Sequence, residues 1–150
     1  MSFPLSMPIA GPLANPIARE EGGGVVNLAS NSRFDDATGM TLGAGWSVAG
    51  GKLVGTAVAA FGPSAGQLFA GGQSLVSGGT YRVTFTLSSV SGGSTRVQLS
   101  GATTVNGTNR NANGTYTQDL VATSAHSTLL FIAASIFSGN IDDVSVVRIA

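Results

Sequence analysis

Paired glycines and Asn-Gly steps divide the chain from residue 25 onward into short segments. They are found at Gly50-Gly51, Gly71-Gly72, Gly78-Gly79, Gly92-Gly93, Asn106-Gly107 and Asn113-Gly114. Such pairs are typical of turns, because glycine and asparagine adopt the positive φ angles that tight turns require. The segments between them show no convincing helical period. The positions of these turn-forming pairs predict short strands joined by turns.

The clearest strand lies at 81–88, where apolar residues alternate with polar ones: Tyr81, Val83, Phe85 and Leu87. A period of two is typical of a strand with one buried face. Further strands are predicted near 25–29, 45–48, 52–58, 66–70, 94–100, 115–122, 127–134 and 140–149. Strands at this spacing predict an all-β fold, an antiparallel β-sandwich. Residues 129–134 are apolar on both faces, which indicates either a central strand or a strand that meets another subunit.

Residues 1–24 differ in kind and predict an extended arm with a hinge, ahead of a domain at 25–150. Prolines recur with a strict spacing of four, which excludes a helix and a central strand: Pro4, Pro8, Pro12 and Pro16. Apolar residues accompany them: Phe3, Leu5, Met7, Ile9, Leu13 and Ile17. A solvated linker would carry polar residues instead, so we expect the arm to anchor on a neighbouring subunit or another protein. A free tail is the alternative.

The charge content bounds the classes of function. Only 9% of the 150 residues are charged, and seven basic side chains balance seven acidic ones. A nucleic-acid-binding domain usually carries a basic patch, so no nucleic-acid partner is expected. No segment has the roughly 18 uninterrupted apolar residues of a membrane helix, and prolines interrupt any signal-peptide pattern at the start. A nearly uncharged surface favours a protein packed in an assembly.

The sequence offers little for catalysis, and we expect no enzyme activity. The single histidine, His126, lies in a predicted turn without a nearby nucleophile motif, and we expect it to be solvated. The chain has no cysteine, which excludes disulfides and thiolate metal sites. No two carboxylates form a recognisable acid and base pair of a glycosidase: Glu20, Glu21, Asp35, Asp36, Asp119, Asp142 and Asp143.

Four motifs, in order along residues 25–150, resemble those of galactose-binding-like, carbohydrate-binding-module-like jelly rolls. They are an opening Asn31 with Phe34, Trp46 ahead of Gly50-Gly51, the mid-domain strand Tyr81 to Phe85, and the closing strand Ile141 to Val146. The resemblance implies a jelly-roll β-sandwich that acts as a binding or structural module. Because this fold hosts many functions, the resemblance names no ligand.

The resemblance also implies a candidate structural calcium site. Asp142 shares its strand phase with the valines of the closing strand, so it is predicted to face inward. In the family this position often helps to hold calcium with oxygens from near the first strand, here Asn31 and Asp35. Calcium requires about six to eight oxygen ligands, and the chain has few acids to supply them. The alternative is that backbone amides or Arg33 satisfy Asp142.

Candidate glycan-binding residues lie mostly in predicted loops. Phe61, beside Gly62-Pro63, and Tyr116, near a turn, have rings that can stack on a sugar. Trp46 is a further candidate, although packing in the core is the favoured alternative. The segment 103–114 offers amides and a guanidinium that suit sugar hydroxyls, and turn formation is the favoured alternative for this segment: Asn109, Arg110 and Asn111.

We therefore expect a structural virion protein of a bacteriophage or phage-like particle, such as a head spike or fibre, on the particle surface. The arm would bind other virion proteins, and the jelly roll would attach to host cell-surface polysaccharide. Attachment at symmetric sites would make the protein a homo-oligomer. The alternative is a freestanding, lectin-like carbohydrate-binding module without catalytic activity.

Overall fold

Antiparallel strands make up more than half of residues 26–150, the part of the chain that this computed structural model describes. They are β1 (Met40–Leu42), β2 (Trp46–Ala49), β3 (Lys52–Val58), β4 (Ser64–Leu68), β5 (Thr80–Ser100), β6 (Thr104–Asn106), β7 (Gly114–Val121) and β8 (Thr128–Arg148). A short 3-10 turn at Ala70–Gly72 lies between β4 and β5. No helix among residues 26–150 is long and apolar enough to cross a membrane. The arm and hinge predicted for 1–24 lie outside the described residues.

The strands β5 and β8, each 21 residues long, hold the fold together because both take part in two sheets. Sheet 1 has the strand order β7-β5-β8-β3-β2, and it contains the first half of β5 and the second half of β8. Sheet 2 has the strand order β6-β5-β8-β4-β1, and it contains the second half of β5 and the first half of β8. Phe85 of sheet 1 meets Phe131 of sheet 2 edge to face, with centroids 5.4 Å apart. The sheets pack face to face as a jelly-roll β-sandwich, which confirms the predicted fold class.

The passage from sheet 1 to sheet 2 occurs where β5 and β8 bend together. Their register shifts between Ser88 and Thr95, and Gly93 has a φ of 72° at this point. A Cβ on Gly93 would collide with the backbone carbonyl of Ile136, so only glycine allows the two backbones to approach this closely. The turn predicted at Gly92-Gly93 is therefore wrong, because the chain bends there without reversing.

The core follows from the alternation of side chains along the strands. Every second residue in each half of β5 is buried: Tyr81, Val83, Phe85, Leu87, Val97 and Leu99. The ring of Phe137 in β8 is buried beside two glycines. A Cβ at Gly55 would lie only 2.9 Å from the ring, and one at Gly139 only 2.8 Å from it. Small residues beside a large ring let the inner face close without a cavity.

Some predicted strands differ from the observed ones. The predicted strand at 25–29 is absent from the described residues of that segment, which form an isolated bridge between Ala29 and Phe69 and a backbone hydrogen bond from Leu28 to Val146 of β8. The strands β1 and β6 have three residues each, which is too short for a period to be recognised in the sequence. Two pairs of predicted strands, 81–88 with 94–100 and 127–134 with 140–149, are the two halves of β5 and β8.

A bulge near the end of β8 overturns the predicted direction of Asp142. Two steps on β5, from Thr84 to Thr86, oppose three steps on β8, from Asp142 to Ser145, and Asp143 has a φ of 51°. The extra residue reverses the phase of the strand. Asp142 consequently lies on the outer face of sheet 1 beside Thr86, and the buried residues on either side are Ile141 and Val144.

Replacing Gly93 by alanine should destabilise the protein, because the new Cβ meets the Ile136 carbonyl and the positive φ disfavours alanine. We expect a loss of at least about 2 kcal/mol in the free energy of unfolding. Gly92→Ala is the matched control, since a Cβ there meets nothing within 4 Å, and its effect should stay within about 0.5 kcal/mol. Urea unfolding of both variants measures the difference, and equal stabilities would contradict the role of Gly93.

Candidate functional site

On the outer face of sheet 1, polar side chains of β5 and β7 hydrogen-bond with one another. Hydroxyls pair across β5 and β7, Thr84 with Thr117 at 3.1 Å and Thr86 with Thr115 at 2.9 Å. One row further, Arg82 donates two hydrogen bonds to the Asp119 carboxylate at 2.8 and 3.0 Å. These bonds lower the pKa of Asp119 and raise that of Arg82.

The outer face of sheet 2 instead contains an open groove of about 560 Å³ that crosses β1, β4 and β8. The groove is lined by Gly39, Met40, Thr41, Ser64, Gly66, Gln67, Leu68, Thr128 and Leu130. No lining residue is charged, and most of the lining surface is apolar. A concave, largely apolar surface with a few hydroxyls is the usual form of a small-molecule site.

The floor of the groove depends on Gly66 and Leu130, which face each other in the register of β4 and β8. The Leu130 side chain lies across Gly66, where a Cβ would collide with it. Leu68, on the same strand, is 56% exposed and forms a wall. A side chain at position 66 would raise the floor, so glycine keeps the groove open.

Phe61 lies at one end of the same face. Its amide donates to the carbonyl of Ala133 on β8 at 2.8 Å, and its backbone has a φ of 53°. The guanidinium of Arg96 lies 5.4 Å from the ring centroid, within the range of a cation–π contact. The ring is nevertheless 62% exposed. Arg96 on β5 and Ser64 on β4 both pair with Ile132 of β8, and Ser64 lines the groove. Because Phe61 contacts Arg96, its ring lies just beyond this end of the groove.

Amide side chains border the groove on its other side. Gln98 faces Leu130 across β5 and β8, and it donates to Asn106 of β6 at 2.6 Å. Each of these amides keeps further donor and acceptor capacity. The face thus combines an aliphatic floor, an exposed aromatic ring, hydroxyls and amides, which suits a ligand with apolar C–H surfaces and many hydroxyls.

Comparisons with known proteins agree with this architecture. No family model matches the chain, and no curated protein matches its sequence. A family 29 carbohydrate-binding module complexed with cellulohexaose superimposes with a TM-score of 0.57 at 14% identity, over 83% of this chain and 90% of that one. The N-terminal cellulose-binding domain of Cellulomonas fimi β-1,4-glucanase C gives 0.56 at 16% identity, over 83% and 99%. This chain has the fold of a carbohydrate-binding module.

A third solved structure, a Clostridium thermocellum xylanase carrying a family 22 carbohydrate-binding module with xylohexaose, gives a TM-score of 0.55 at 16% identity. The match covers 84% of this chain and 28% of that longer chain. The resemblance drawn from the sequence motifs is confirmed at the level of fold.

The predicted glycan residues fall into separate parts of the module. Trp46 is only 6% exposed, and its indole N–H donates to the Pro63 carbonyl at 3.2 Å. Its ring packs at 5.9 Å from Phe137, so it offers no face to a sugar. The structure thus places Trp46 in the core, which was the favoured alternative. Phe61 is exposed on the groove face.

Arg110 and Tyr116 stack on each other. The guanidinium lies 4.6 Å from the ring centroid, and the Tyr116 hydroxyl donates to the Ala112 carbonyl at 2.7 Å. The other side of the ring approaches Phe85 at 5.9 Å. These contacts fix the loop after β6, and they leave the Tyr116 ring little surface for a ligand.

Asn109 and Asn111 are exposed on either side of Arg110, whose backbone pairs with Thr95 at the edge of sheet 2. That pairing brings the loop next to Arg96 and therefore toward Phe61. Asn109 and Asn111 remain predicted sugar contacts. The sequence reasoning missed the groove itself, although the outward apolar residues of 129–134, which include Leu130, were the signal for it.

The structure does not assemble the calcium site predicted from the resemblance. The Asp142 carboxylate pairs with the Lys52 ammonium at 3.3 Å, where a metal ion would meet a positive charge. The side-chain oxygen of Asn31 accepts from the Phe34 amide at 3.0 Å. Among residues 26–150, no three acidic, His or Cys side chains lie together. These contacts do not fit a calcium ion held by Asp142, Asp35 and Asn31, and Lys52 replaces Arg33 as the partner of Asp142.

His126 is buried, which corrects the expectation of a solvated residue. Its Nε2 accepts a hydrogen bond from the Thr123 amide at 3.2 Å. Burial lowers the pKa of His126 from its usual value of 6.5, because the charged ring would lose its hydration. The residue packs in a turn, where its Nε2 also lies 3.5 Å from the Thr123 hydroxyl.

The buried histidine predicts a loss of stability in mild acid. The unfolded chain takes up a proton near pH 6.5, while the folded chain resists protonation until a lower pH. The free energy of unfolding should therefore fall as the pH drops below 6.5, by up to about 1.4 kcal/mol per pH unit. Urea unfolding between pH 7.5 and about pH 5 measures this slope. His126→Gln should flatten it, and an unchanged slope would assign the effect to another group.

Proposed function

We propose that the module binds a neutral polysaccharide in the groove of sheet 2, with Phe61 stacking on one sugar ring. The observation that carries this proposal is an open, uncharged groove with an exposed aromatic ring at its end, on a carbohydrate-binding-module fold. Sugar rings have apolar C–H faces that pack on aromatic and aliphatic side chains. Thr41, Ser64 and Thr128 supply hydroxyls for hydrogen bonds.

The chemistry of the groove favours a linear, neutral glycan. The solved modules of like fold are named for cellulose or were studied with cellulohexaose or xylohexaose, which are chains of uncharged sugars. The groove is partly open and crosses three neighbouring strands, which is compatible with an extended chain lying across them. An anionic glycan would find no cation in the lining of the groove, and the guanidinium of Arg96 is already in contact with Phe61.

We further propose that the module is displayed on a bacteriophage or phage-like particle, as a head spike or fibre that attaches to host surface glycans. The proline-rich sequence at 1–24 would join it to other virion proteins, and its apolar residues support this role. The near absence of charge suits many copies held close together. A freestanding carbohydrate-binding module is the alternative, and the glycan site would be the same.

Phe61→Ala should weaken glycan binding, because it removes the exposed ring at the end of the groove. A stacking contact of about 1 kcal/mol corresponds to a five- to tenfold rise in Kd. Isothermal titration calorimetry with cellohexaose and xylohexaose measures the change.

The control is Thr84→Ala, which removes one hydroxyl of the Thr84–Thr117 pair from the outer face of sheet 1. It should leave the Kd unchanged. Equal losses in both variants, or none in Phe61→Ala, would contradict the assignment of the groove.

Removal of residues 1–24 should abolish incorporation into particles while leaving residues 26–150 folded. The reason is that residues 26–150 contain a large core of buried hydrophobic residues of their own. Particle-bound protein after sedimentation measures incorporation, and thermal unfolding checks the fold. Normal incorporation of the shortened chain would overturn the virion role of the arm and favour the freestanding module, whose glycan affinity should persist in either case.

A further inference from the structure

The N-terminal sequence has a strand pattern that its prolines partly conceal. All of its large apolar residues occupy odd positions: Phe3, Leu5, Met7, Ile9, Leu13 and Ile17. The even positions from 2 to 18 hold only serine, alanine and proline. Successive side chains of an extended strand point to opposite faces. An extended segment of this sequence would therefore have one apolar face and one face of small residues and proline.

The prolines are also confined to one edge of such a strand. Backbone N–H and C=O groups of alternate residues point to opposite sides of a strand. Pro4, Pro8, Pro12 and Pro16 are all even, so they remove donors from one side only. The odd residues keep every N–H on the other side. Proline is tolerated on the outer side of an edge strand, where it also prevents further pairing.

The described residues include one edge that matches such a strand. Sheet 1 ends at β7 and β2, and sheet 2 ends at β6 and β1. The strand β7 has eight residues, whereas β1, β2 and β6 have three or four. It pairs with β5 without a register shift, and within residues 26–150 no backbone group pairs with its other side. It contains no proline, lysine or bulge, which are common devices that block an edge, and its one charged side chain, Asp119, is paired with Arg82 of β5.

The inner face of β7 keeps accessible side-chain surface at this edge. Its inward side chains are Tyr116, Gln118 and Leu120, and the first two are only half-buried, although Arg110 stacks on Tyr116 and the Thr108 amide donates to Gln118. An added strand would set its apolar odd residues beside them and continue the inner layer of sheet 1. The even residues would lie beside Thr115 and Thr117 on the outer face.

We propose that residues 3–17 of one copy bind along the open edge of β7 in a second copy, as an added β-strand. The chain enters sheet 1 beside β8, where the Leu28 amide donates to the Val146 carbonyl at 2.8 Å, and β5 separates β8 from β7. An arm supplied by a neighbouring copy would not have to cross the sheet of the copy that it binds. Head-to-tail exchange of this kind links copies into a ring where the rotation between them closes, and into a filament where it does not. The inference rests on the proposed anchoring role of the arm, and it adds a second copy of the chain to the other virion proteins as a partner.

Proline placement tests the proposal with two variants at neighbouring positions. Gly11→Pro removes an N–H from the pairing side, whereas Ala10→Pro adds another proline to the side that already carries four. Neither substitution removes a large apolar side chain. Sedimentation equilibrium of the full-length chain should show an oligomer for the parent protein and for Ala10→Pro. The dissociation constant should rise at least tenfold for Gly11→Pro. Equal behaviour of the two variants, or a monomeric parent protein, would overturn the proposal.

Cross-linking identifies the edge and the copy. The chain has no cysteine, so single cysteines at Ser6, Ala10 or Ala14 can be mixed with a Thr117→Cys protein under oxidising conditions. Adjacent strands bring Cα atoms within disulfide range, about 4.4–6.8 Å. We expect a linked dimer with Thr117→Cys and none with Ser47→Cys, which lies on β2 at the opposite edge of sheet 1. Dimers with both, or with neither, would contradict the assignment of β7.

A protein with both cysteines in one chain separates the two possible sources of the arm. If it forms only an internal link and the mixed proteins form none, the arm binds its own copy and the exchange is refuted. The glycan site lies on sheet 2, so Gly11→Pro should retain the parent Kd for cellohexaose. Loss of assembly and loss of glycan binding are thus observed separately.

Discussion

The close approach of the β5 and β8 backbones at Gly93 and Ile136 is the contact on which the rest of the module depends. Both long strands leave one sheet and enter the other at this point, so the two layers share a covalent frame. The core rings of Phe85 and Phe131 meet only because the halves of these strands are folded over each other. The groove also depends on this contact, because the contact positions the first half of β8 in sheet 2. That half carries Leu130 on the groove side and Leu129 and Phe131 on the core side.

Much of the fold could be predicted from local patterns. Alternation in Tyr81 to Leu87 defines a strand whose inner face is buried, and glycine pairs or Asn-Gly steps mark several strand boundaries, such as Gly50-Gly51 between β2 and β3. The bend at Gly92-Gly93 could not be distinguished from a turn, because both require glycine and only the distant Ile136 backbone decides between them. The direction of Asp142 failed for a similar reason. A single bulge residue with positive φ reverses the phase of a strand, and Asp143 gives no local sign of it.

The candidate site was less accessible to prediction, because it is a property of neighbouring strands. Phe61 was recognisable as an exposed ring beside a Gly-Pro turn. The groove arises from the register that sets Gly66 opposite Leu130, and these residues are far apart in sequence. Arg110 and Tyr116 are residue types that often bind sugars, but here the guanidinium and the ring stack on each other. Residue type alone cannot reveal whether a polar or aromatic group is already occupied.

The hydroxyl pairs on the outer face of sheet 1 bear on how the module behaves at high density. Thr84 and Thr117, like Thr86 and Thr115, satisfy each other across the strands, and Arg82 neutralises Asp119. Such a face is hydrated without projecting a field beyond the first layers of water. Neighbouring copies can therefore lie side by side with little electrostatic repulsion from this face, and the distance between them should depend only weakly on ionic strength.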